Sequence, residues 1–197
     1  MTCRQDGHNQ AGRSILLLQS EFVGPVILQD VGSVRRGDAK VPNMVRRAGE
    51  KDIPAVMELL KQVNRVHYDG RPDLFKLATK YTEDELRAIM DNDQTPVFVC
   101  TDSDGRILGH GFCVLQRPSN TRLLNDILTL YIDDICVDET ARGRHVGRMI
   151  YEQIVAYARQ CGCYNVTLNV WSCNPGAIKF YENLGLVPYK IGMETVL

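Results

Sequence analysis

The stretch that decides the fold is Ile127 to Arg148, ILTLYIDDICVDETARGRHVGR. It begins with an apolar, strand-like run as far as Val137, and from Val146 apolar residues recur at helical spacing. A short basic turn between them leads directly into the helix. The backbone N–H groups of such a turn and the positive end of the helix dipole form an anion site. Positive charge is supplied there by Arg142, Arg144 and Arg148. This order of elements predicts a diphosphate-binding junction.

The basic turn alone is a weak signal, because an ordinary helix start with a solvated basic face has the same composition. The sequence does exclude two other kinds of phosphate site. It contains neither the Gly-Lys-Ser or Gly-Lys-Thr of a P-loop nor the G-x-G-x-x-G of a dinucleotide-binding fold. A second signal is needed to choose between the two interpretations of the turn.

Composition limits the classes of protein to which the chain can belong. Its 197 residues, 44% of them hydrophobic, suffice for one well-buried domain. Lys and Arg number 23 against 24 Asp and Glu, so no global field attracts nucleic acid or an anionic membrane. Apolar runs are shorter than the ~20 residues that a membrane span needs. The 7 cysteines lie mostly in apolar runs, which favours reduced thiols. We expect a cytoplasmic protein without a nucleic-acid or membrane partner.

The first 43 residues differ from the rest of the chain. Several glycines and the basic pair Arg35-Arg36 interrupt any sustained hydrophobic period. A signal peptide is disfavoured, because no small-residue cleavage site is clearly placed behind the short apolar run Ile15 to Leu18. We predict a loosely ordered N-terminal extension over residues 1–43 and a self-sufficient domain over residues 44–197. The alternative is one added edge strand from Val23 to Val31.

Patterning in the main domain predicts both helices and strands. Thr82 followed by Glu85 is typical of a capping box, and the turn 102–105 joins two strand-like runs as in a hairpin. The predicted order is β-α-α-β-β-β-α-β-α-β, which indicates a mixed α/β sheet. The predicted strands are Met44 to Ala48, Val97 to Thr101, Arg106 to Gln116, Ile127 to Val137, Val166 to Trp171 and Val187 to Val196. The predicted helices begin at Asp52, Thr82, Val146 and Pro175.

A second segment, Asn174 to Leu186, reads NPGAIKFYENLGL. It is similar to the later signature of the GNAT superfamily, Asn-x-x-Ala-x-x-Phe-Tyr followed by a Leu-Gly stop. The basic turn resembles the acetyl-CoA motif of that superfamily, (Gln or Arg)-x-x-Gly-x-(Gly or Ala). Arg142 and Gly147 match its ends, and His145 stands where the family usually has its first glycine. Over residues 44–197 the resemblance implies a mixed, mostly antiparallel sheet of six to seven strands, splayed at the cofactor site and flanked by about four helices.

The resemblance also implies a function. A GNAT N-acetyltransferase transfers an acetyl group from acetyl-CoA to a primary amine by direct attack in a ternary complex. The strands that splay apart would be Ile127 to Val137 and Val166 to Trp171. Tyr181 would protonate the leaving thiolate, and Asn174 would steady the cofactor. The residues implied for cofactor binding are Ile135, Cys136, Val137, Arg142, Gly143, Arg144, His145, Val146, Gly147, Arg148, Asn174 and Tyr181.

An alkyl ammonium must lose a proton before it can attack, so we expect a base near the splayed strands. Asp133 and Asp134 are the candidates. On a regular strand they face opposite ways, and parity with Ile135 and Val137 favours Asp133. A β-bulge would shift the phase and favour Asp134. A solvated carboxylate or a structural hydrogen bond would explain either residue equally well.

The acceptor is expected to be a small-molecule amine or a peptide N-terminus. In GNAT proteins the first two helices flank the acceptor, so the resemblance directs attention to the segment between them, residues 67–80. The candidates for substrate contact are His67, Asp69, Arg71 and Phe75, and a polar surface loop would look the same. A nucleophilic role for Cys136 is disfavoured by its apolar neighbours, and the cysteine spacing predicts no metal.

Two other functions remain open. A non-catalytic acyl-CoA-binding module would keep the cofactor turn without turnover, and Tyr181 and the aspartate pair argue against it. A nucleic-acid-binding protein using Arg142 to Arg148 is disfavoured by the near-neutral charge and the absence of interleaved aromatic residues. The sequence is compatible with a homodimer and does not determine the acceptor or the acyl chain.

Overall fold

The strands of the sheet lie side by side in chain order. The computed structural model describes residues 42–118 and 122–197. Its strands are β1 (Met44–Arg47), β2 (Val97–Thr101), β3 (Ile107–Gln116), β4 (Thr129–Val137) and β5 (Asn165–Leu168). Neighbours pair antiparallel from β1 to β4, and β4 pairs parallel with β5. The predicted mixed, mostly antiparallel sheet is confirmed, but within the described residues it has five strands where six to seven were expected.

The helices begin where the sequence predicts them. They are α1 (Ile53–Gly70), α2 (Glu83–Met90), α3 (Val146–Gln160) and α4 (Pro175–Asn183). Pro54 lies in the first turn of α1, where its missing N–H removes no intrahelical bond. The predicted capping box is present, because Thr82 Oγ1 accepts from the Glu85 N–H at 3.3 Å and Glu85 Oε2 accepts from the Thr82 N–H at 2.8 Å. α1 extends to Gly70, so the connection between the first two helices is shorter than the sequence suggests.

The sheet separates two hydrophobic layers. One face packs against α1 and α2 through the fully buried Val56, Leu60 and Leu86. The other face packs against α3 through Ile150 and Ile154. Burying one such side chain contributes roughly 1.5–3 kcal/mol. Among the described residues, helices therefore pack on both faces of the sheet.

Close contact between α3 and β3 depends on glycines. A Cβ at Gly111 would lie 2.8 Å from Ile150 Cγ2, and a Cβ at Gly109 would lie 2.7 Å from the carbonyl oxygen of Cys136. A side chain at either position would force the helix or the neighbouring strand to move. Since α3 begins directly after the basic turn, this packing also holds the turn next to the sheet.

The predicted final strand, Val187 to Val196, does not form. The segment pairs with none of the described strands, and its apolar residues are exposed. Within this segment, Glu194 forms an ion pair with Arg71, which follows the last residue of α1, at 2.8 Å. The prediction was wrong because alternation indicates which face a strand would bury and carries no information about whether a partner edge is available.

Some predictions concern residues outside this description. The extension over residues 1–43 lies outside it except for Pro42 and Asn43, and so does the alternative strand Val23 to Val31. The described residues belong to one compact unit. Among their helices, none has the length and apolar character needed to cross a membrane.

Candidate active site

β4 and β5 diverge after a short paired stretch. Their parallel pairing ends at Ile132 and Leu168, where β5 stops, whereas β4 continues to Val137. The edge of β4 that faces β5 is therefore open over residues 133–137, while the other edge stays paired with β3. Backbone groups on an open edge can bind an extended ligand as an added strand would. The predicted splay between these strands is confirmed.

A β-bulge in β4 changes the direction of two carboxylates. The register against β3 shifts between Ile132 and Asp134, so Asp133 is an extra residue in the ladder. Both aspartate side chains then project from the face of the sheet that α1 and α2 cover. Asp133 meets Tyr81, whose ring lies 5.7 Å from the ring of Phe112 on that face. Of the two alternatives that the sequence left open, a regular strand and a β-bulge, the structure shows the bulge, which shifts the alternation by one residue.

Asp133 forms an ion pair near the solvent. Lys80 Nζ donates to its Oδ2 at 2.6 Å, and the Tyr81 hydroxyl donates to the same oxygen at 3.2 Å. Burial opposes the charge of Lys80, but the hydrogen bond and charge of Asp133 outweigh burial and raise the pKa of Lys80. Burial, together with the Asp133 charge, raises the pKa of Tyr81. The charge of Asp133 is therefore offset by an adjacent cation.

Asp134 lies deeper and has a different partner. Its Oδ2 is 2.9 Å from Nε2 of His110, which is fully buried in β3. The Asp134 side chain is 10% exposed, against 27% for Asp133. The two candidate bases thus differ in environment: Asp133 pairs with a lysine near solvent, and Asp134 pairs with a buried imidazole.

Tyr181, on α4, lies within electrostatic range of Asp134. Its side chain is half-buried, and its ring centroid is 5.0 Å from that of Phe180. Burial, with a smaller contribution from the negative charge of Asp134, raises the pKa of its hydroxyl above the ordinary value of 10.0. The hydroxyl is therefore protonated at neutral pH and has a proton to donate.

The turn between β4 and α3 contains two residues in the left-handed region. Gly143 has φ 76° and His145 has φ 61°, and α3 follows at Val146. His145 is the one non-glycine residue with positive φ in the described chain. This conformation costs an L-residue about 1–2 kcal/mol, so a glycine would be less strained there. Residues 142–145 and Arg148 are exposed, which leaves the arginines at the solvent side of the helix start.

Gly147 has a packing role that the sequence interpretation did not include. A Cβ there would lie 3.1 Å from Phe180 Cζ and 3.4 Å from Val137 Cγ2. The first turn of α3 therefore packs directly against α4 and β4. The sequence suggests that this glycine gives diphosphate close access to the backbone, whereas the missing side chain would point at Phe180. This contact joins the basic turn to the segment that carries Tyr181.

Two residues implied for cofactor binding also have structural contacts. Asn174 Oδ1 accepts a hydrogen bond at 3.0 Å from the N–H three residues later and so caps α4. The thiol of Cys136 is buried and donates to the Leu59 carbonyl at 3.4 Å. Burial raises its pKa to about 12, so it is not a nucleophile at neutral pH. Its backbone lies on the open stretch of β4, with those of Ile135 and Val137.

An aromatic cluster lies where α1 ends and the chain leaves β5. His67 stacks on Phe75 with ring centroids 5.0 Å apart, and Phe75 meets Trp171 edge to face at 5.2 Å. Trp171 is 42% exposed. The structure therefore brings together two of the four predicted substrate-contacting residues, and it adds a tryptophan from the far side of the splay.

The other two predicted substrate-contacting residues have ionic partners. Asp69 pairs with Arg65, one helical turn earlier, at 2.9 Å. Arg71 pairs with Asp73 at 2.7 Å and with Glu194 at 2.8 Å. Exposed pairs of this kind contribute little stability. Their consequence here is electrostatic, because two carboxylates already compensate the charge of Arg71.

A cavity away from the splayed strands lies between β1, the start of α1 and the β2–β3 turn. Its lining includes Met44, Leu59 and Arg106 and none of the predicted site residues. Two of its charged residues, Arg46 and Asp52, pair with each other at 2.6 Å. Across residues 42–118 and 122–197, no group of three or more His, Cys, Asp or Glu is arranged to hold a metal ion. The splayed end of β4 is therefore the candidate active site.

Comparison with known proteins identifies the family. The sequence profile of the Acetyltransferase (GNAT) family matches residues 58–186. The chain belongs to the GNAT family. The matched range contains the open edge of β4, the basic turn and Tyr181.

Several relatives of this GNAT chain have names that include a substrate. Glucosamine 6-phosphate N-acetyltransferase 1 of Oryza sativa subsp. japonica is 36% identical over 98 residues, which cover 49% of this chain and 56% of that protein. A probable glucosamine 6-phosphate N-acetyltransferase of Drosophila melanogaster is 38% identical over 134 residues, which cover 66% of this chain and 54% of that protein. The chain thus spans little more than half the length of these two relatives.

A solved structure has the same fold over most of the chain. A tetramutant of the BH1408 protein from Bacillus halodurans superposes with a TM-score of 0.75 at 30% sequence identity. The superposition covers 78% of this chain and 99% of that one. The mixed sheet and its flanking helices are therefore the expected GNAT architecture.

Sequence reasoning missed three residues that the structure places at this candidate site: Lys80, His110 and Trp171. His110 precedes Asp134 by 24 positions and lies within an apolar strand, where it looks like a core residue. One signal was available, because a strand from 106 to 116 puts His110 and Phe112 on one face. Trp171 was assigned to a strand end, and the early stop of β5 frees it to join the aromatic cluster.

Proposed function

We propose that this GNAT protein is an N-acetyltransferase that transfers the acetyl group of acetyl-CoA to a primary amine by direct attack in a ternary complex. The observation that carries the proposal is the meeting of three features at the splayed end of β4. These are the open edge over 133–137, the Asp134 carboxylate and the protonated Tyr181 hydroxyl. Binding alone needs the first of them, whereas acetyl transfer needs all three.

The residues present suit acetyl-CoA. The exposed turn 142–145 and the N-terminus of α3 offer backbone N–H groups and arginines for a diphosphate. The open edge of β4 offers backbone groups of Ile135, Cys136 and Val137 for an extended, amide-containing arm. When bound, acetyl-CoA supplies an activated acetyl carbonyl and a thiolate leaving group. A backbone N–H on the open edge can stabilise charge that develops on the carbonyl oxygen.

Two side chains would divide the proton transfers. We assign the base to Asp134, because the charge of Asp133 is already offset by Lys80. Its carboxylate takes a proton from the acceptor ammonium, directly or through a water, and frees the nitrogen lone pair. Tyr181 gives the proton of its hydroxyl to the leaving sulfur, which its raised pKa permits. One proton is taken up and one is given, so the site returns to its starting state by exchange with solvent.

We propose a small-molecule amine as the acceptor, with a peptide N-terminus as the alternative. The names of two relatives make glucosamine 6-phosphate an obvious compound to test. Arg71 already pairs with Asp73 and Glu194, so a phosphate would have to compete with two carboxylates for it. The cluster around Phe75 supplies aromatic contact surface instead. These contacts favour an amine with an uncharged or apolar remainder.

A thiol-release assay on the full chain tests this function. Acetyl-CoA is supplied with amines, polyamines, amino acids, peptide N-termini, glucosamine and glucosamine 6-phosphate, and free thiol is measured. We expect release with at least one amine, and we expect acetyl-CoA to raise the melting temperature while NAD and ATP do not.

Each failure has a distinct meaning. A melting shift without thiol release for any amine would favour the non-catalytic acyl-CoA-binding module. Equal shifts with acetyl-CoA, NAD and ATP would reject the cofactor assignment itself. Release with glucosamine 6-phosphate but not with glucosamine would contradict the expectation about charge on the acceptor.

We also propose a cytoplasmic location. Every cysteine of the described residues is a free thiol, and three of them, Cys100, Cys113 and Cys136, are buried. Reduced thiols are typical of cytosolic proteins. Fractionation of cells that express the full chain would test this location.

A further inference from the structure

His110 is a buried polar residue for which the proposed mechanism so far has no use. It lies in β3 with none of its surface exposed, and Nε2 is 2.9 Å from Asp134 Oδ2. The ring of Phe112 packs edge to face against the imidazole, with centroids 5.0 Å apart. An imidazole placed in such surroundings is expensive to bury unless its polar atoms are bonded. The contact with Asp134 satisfies one of its two nitrogens.

The other nitrogen, Nδ1, determines which tautomer is present. Among the described residues it is the one buried side-chain nitrogen or oxygen without a hydrogen-bond partner. A proton on Nδ1 would leave that N–H group without an acceptor and would set the lone pair of Nε2 against the carboxylate oxygen of Asp134. The proton therefore belongs on Nε2, where it is donated to Asp134. In this state His110 is neutral and acts as a hydrogen-bond donor.

We infer that His110 is a positioning residue that acts through Asp134. Its Nε2–H holds one carboxylate oxygen, which fixes the rotamer of Asp134 and leaves the second oxygen to take the ammonium proton. His110 itself stays neutral throughout and transfers no proton. This inference rests on the proposed acetyltransferase function, since it assigns a role within that reaction.

Other titratable groups also act on Asp134, so a pH effect has to be separated from theirs. Lys80 interacts with it from the segment before α2, and Tyr181 interacts with it from α4. Asp133 and Cys136 lie on the same strand as Asp134, and the charge of Asp134 also acts on the Cys136 thiol. Among the described residues, the imidazole makes its side-chain hydrogen bond with Asp134. A change at His110 therefore leaves them in position.

The first test reads the tautomer directly and needs no activity. Long-range ¹H–¹⁵N spectra of the full-length protein report the protonation of each histidine ring, and the signal lost in His110→Gln assigns His110. We expect the neutral Nε2–H pattern at pH 7, because Nε2 faces the Asp134 carboxylate. A Nδ1–H pattern or a doubly protonated ring at pH 7 would overturn the inference.

The second test uses three variants in the acetylation assay. His110→Leu removes the donor, and His110→Gln keeps an N–H donor that cannot titrate. Leu108→Ala is the matched control, because Leu108 is a buried residue of the same strand that packs in the α3 layer. We expect His110→Leu to lower kcat by about tenfold or more and His110→Gln to stay within about threefold of the wild type.

The pH profile distinguishes positioning from mere packing. In His110→Leu the acidic limb of kcat/KM should move to higher pH, because a carboxylate that loses its donor is harder to ionise. His110→Gln and Leu108→Ala should keep the wild-type limb, even where the melting temperature falls. If His110→Leu behaves like Leu108→Ala, the residue only packs. If the wild type releases no thiol with any amine, the proposed function fails and the positioning role falls with it, whatever tautomer is found.

Discussion

The two halves of this candidate site that we propose for the cofactor and for the acceptor, called here the cofactor side and the acceptor side, are built in different ways. The cofactor side consists mainly of backbone: a turn with left-handed residues at Gly143 and His145, a helix start, and an open strand edge. The acceptor side consists of side chains that are far apart in sequence, such as His110 with Asp134. Backbone geometry appears in a local sequence as glycines and short motifs, whereas a long-range side-chain pair has no local signature. The two sides should therefore respond differently to mutation.

The largest effect is expected from the two adjacent carboxylates of the acceptor side. Asp134→Asn should lower kcat/KM by about 10²–10⁴-fold, because it removes the proposed base and keeps its size. Asp133→Asn should have a much smaller effect, since that carboxylate already pairs with Lys80. Steady-state kinetics on both variants would check this, with acetyl-CoA titrations expected to match the wild type. The opposite ranking would move the base to Asp133.

A smaller loss of rate is expected where the two sides meet, at Tyr181. Tyr181→Phe should lower kcat by about ten- to a hundredfold, at the low end for a positioned acid because a thiolate is a fairly good leaving group. The dissociation constant for CoA should stay unchanged, because the ring keeps its packing against Phe180. The raised pKa of Tyr181 also predicts that its deprotonation causes no fall in kcat below about pH 10. Wild-type turnover in a variant with rate-limiting chemistry would assign the proton to water.

On the cofactor side, the main expected effect is a loss of packing at Gly147. Gly147→Ala should destabilise the protein by about 1–3 kcal/mol, because its Cβ would press on Phe180. Gly143→Ala should cost about 1–2 kcal/mol for a different reason, the left-handed φ.

A double-mutant cycle separates these two causes. Phe180→Leu should relieve part of the cost of Gly147→Ala and none of the cost of Gly143→Ala, as measured by urea unfolding. If Phe180→Leu left the cost of Gly147→Ala unchanged, as it should leave that of Gly143→Ala, the packing of α3 against α4 at Gly147 would be contradicted.

The smallest expected effect is a gain in stability at His145. His145→Gly removes about 1–2 kcal/mol of left-handed strain from the folded state. The glycine also stabilises the unfolded state by roughly 0.5–1 kcal/mol, because it has more conformational freedom there. The free energy of unfolding should therefore rise by about 0.5 kcal/mol. His145→Ala is the control, because it removes the imidazole and keeps the strain. Urea unfolding of both variants checks the prediction. An equal gain in both would show that the side chain, and not the backbone, is unfavourable.

Much of the fold could be predicted because its signals are local. The capping box at Thr82 and the bounds of α3 depend on residues within a few positions of one another. The strand predicted over 187–196 failed because a strand also needs a partner edge, which no local pattern reveals. The same limit applied to the candidate site, where the sequence named both aspartates and could not say which way each would face.

By itself, the sequence determined the family, the order of elements as far as α4 and the position of the turn that we propose as the anion site. These follow from short-range patterns of apolar residues, glycines and arginines, which restrict the backbone directly. The tertiary structure alone decided that a bulge turns Asp133 and Asp134 to one face of the sheet. It also decided that Lys80 pairs with Asp133 and His110 with Asp134. The packing of Gly147 against Phe180 was likewise visible only in the tertiary structure. The physical reason is that such contacts depend on strand register and helix packing, which are set by the whole fold and by no single segment.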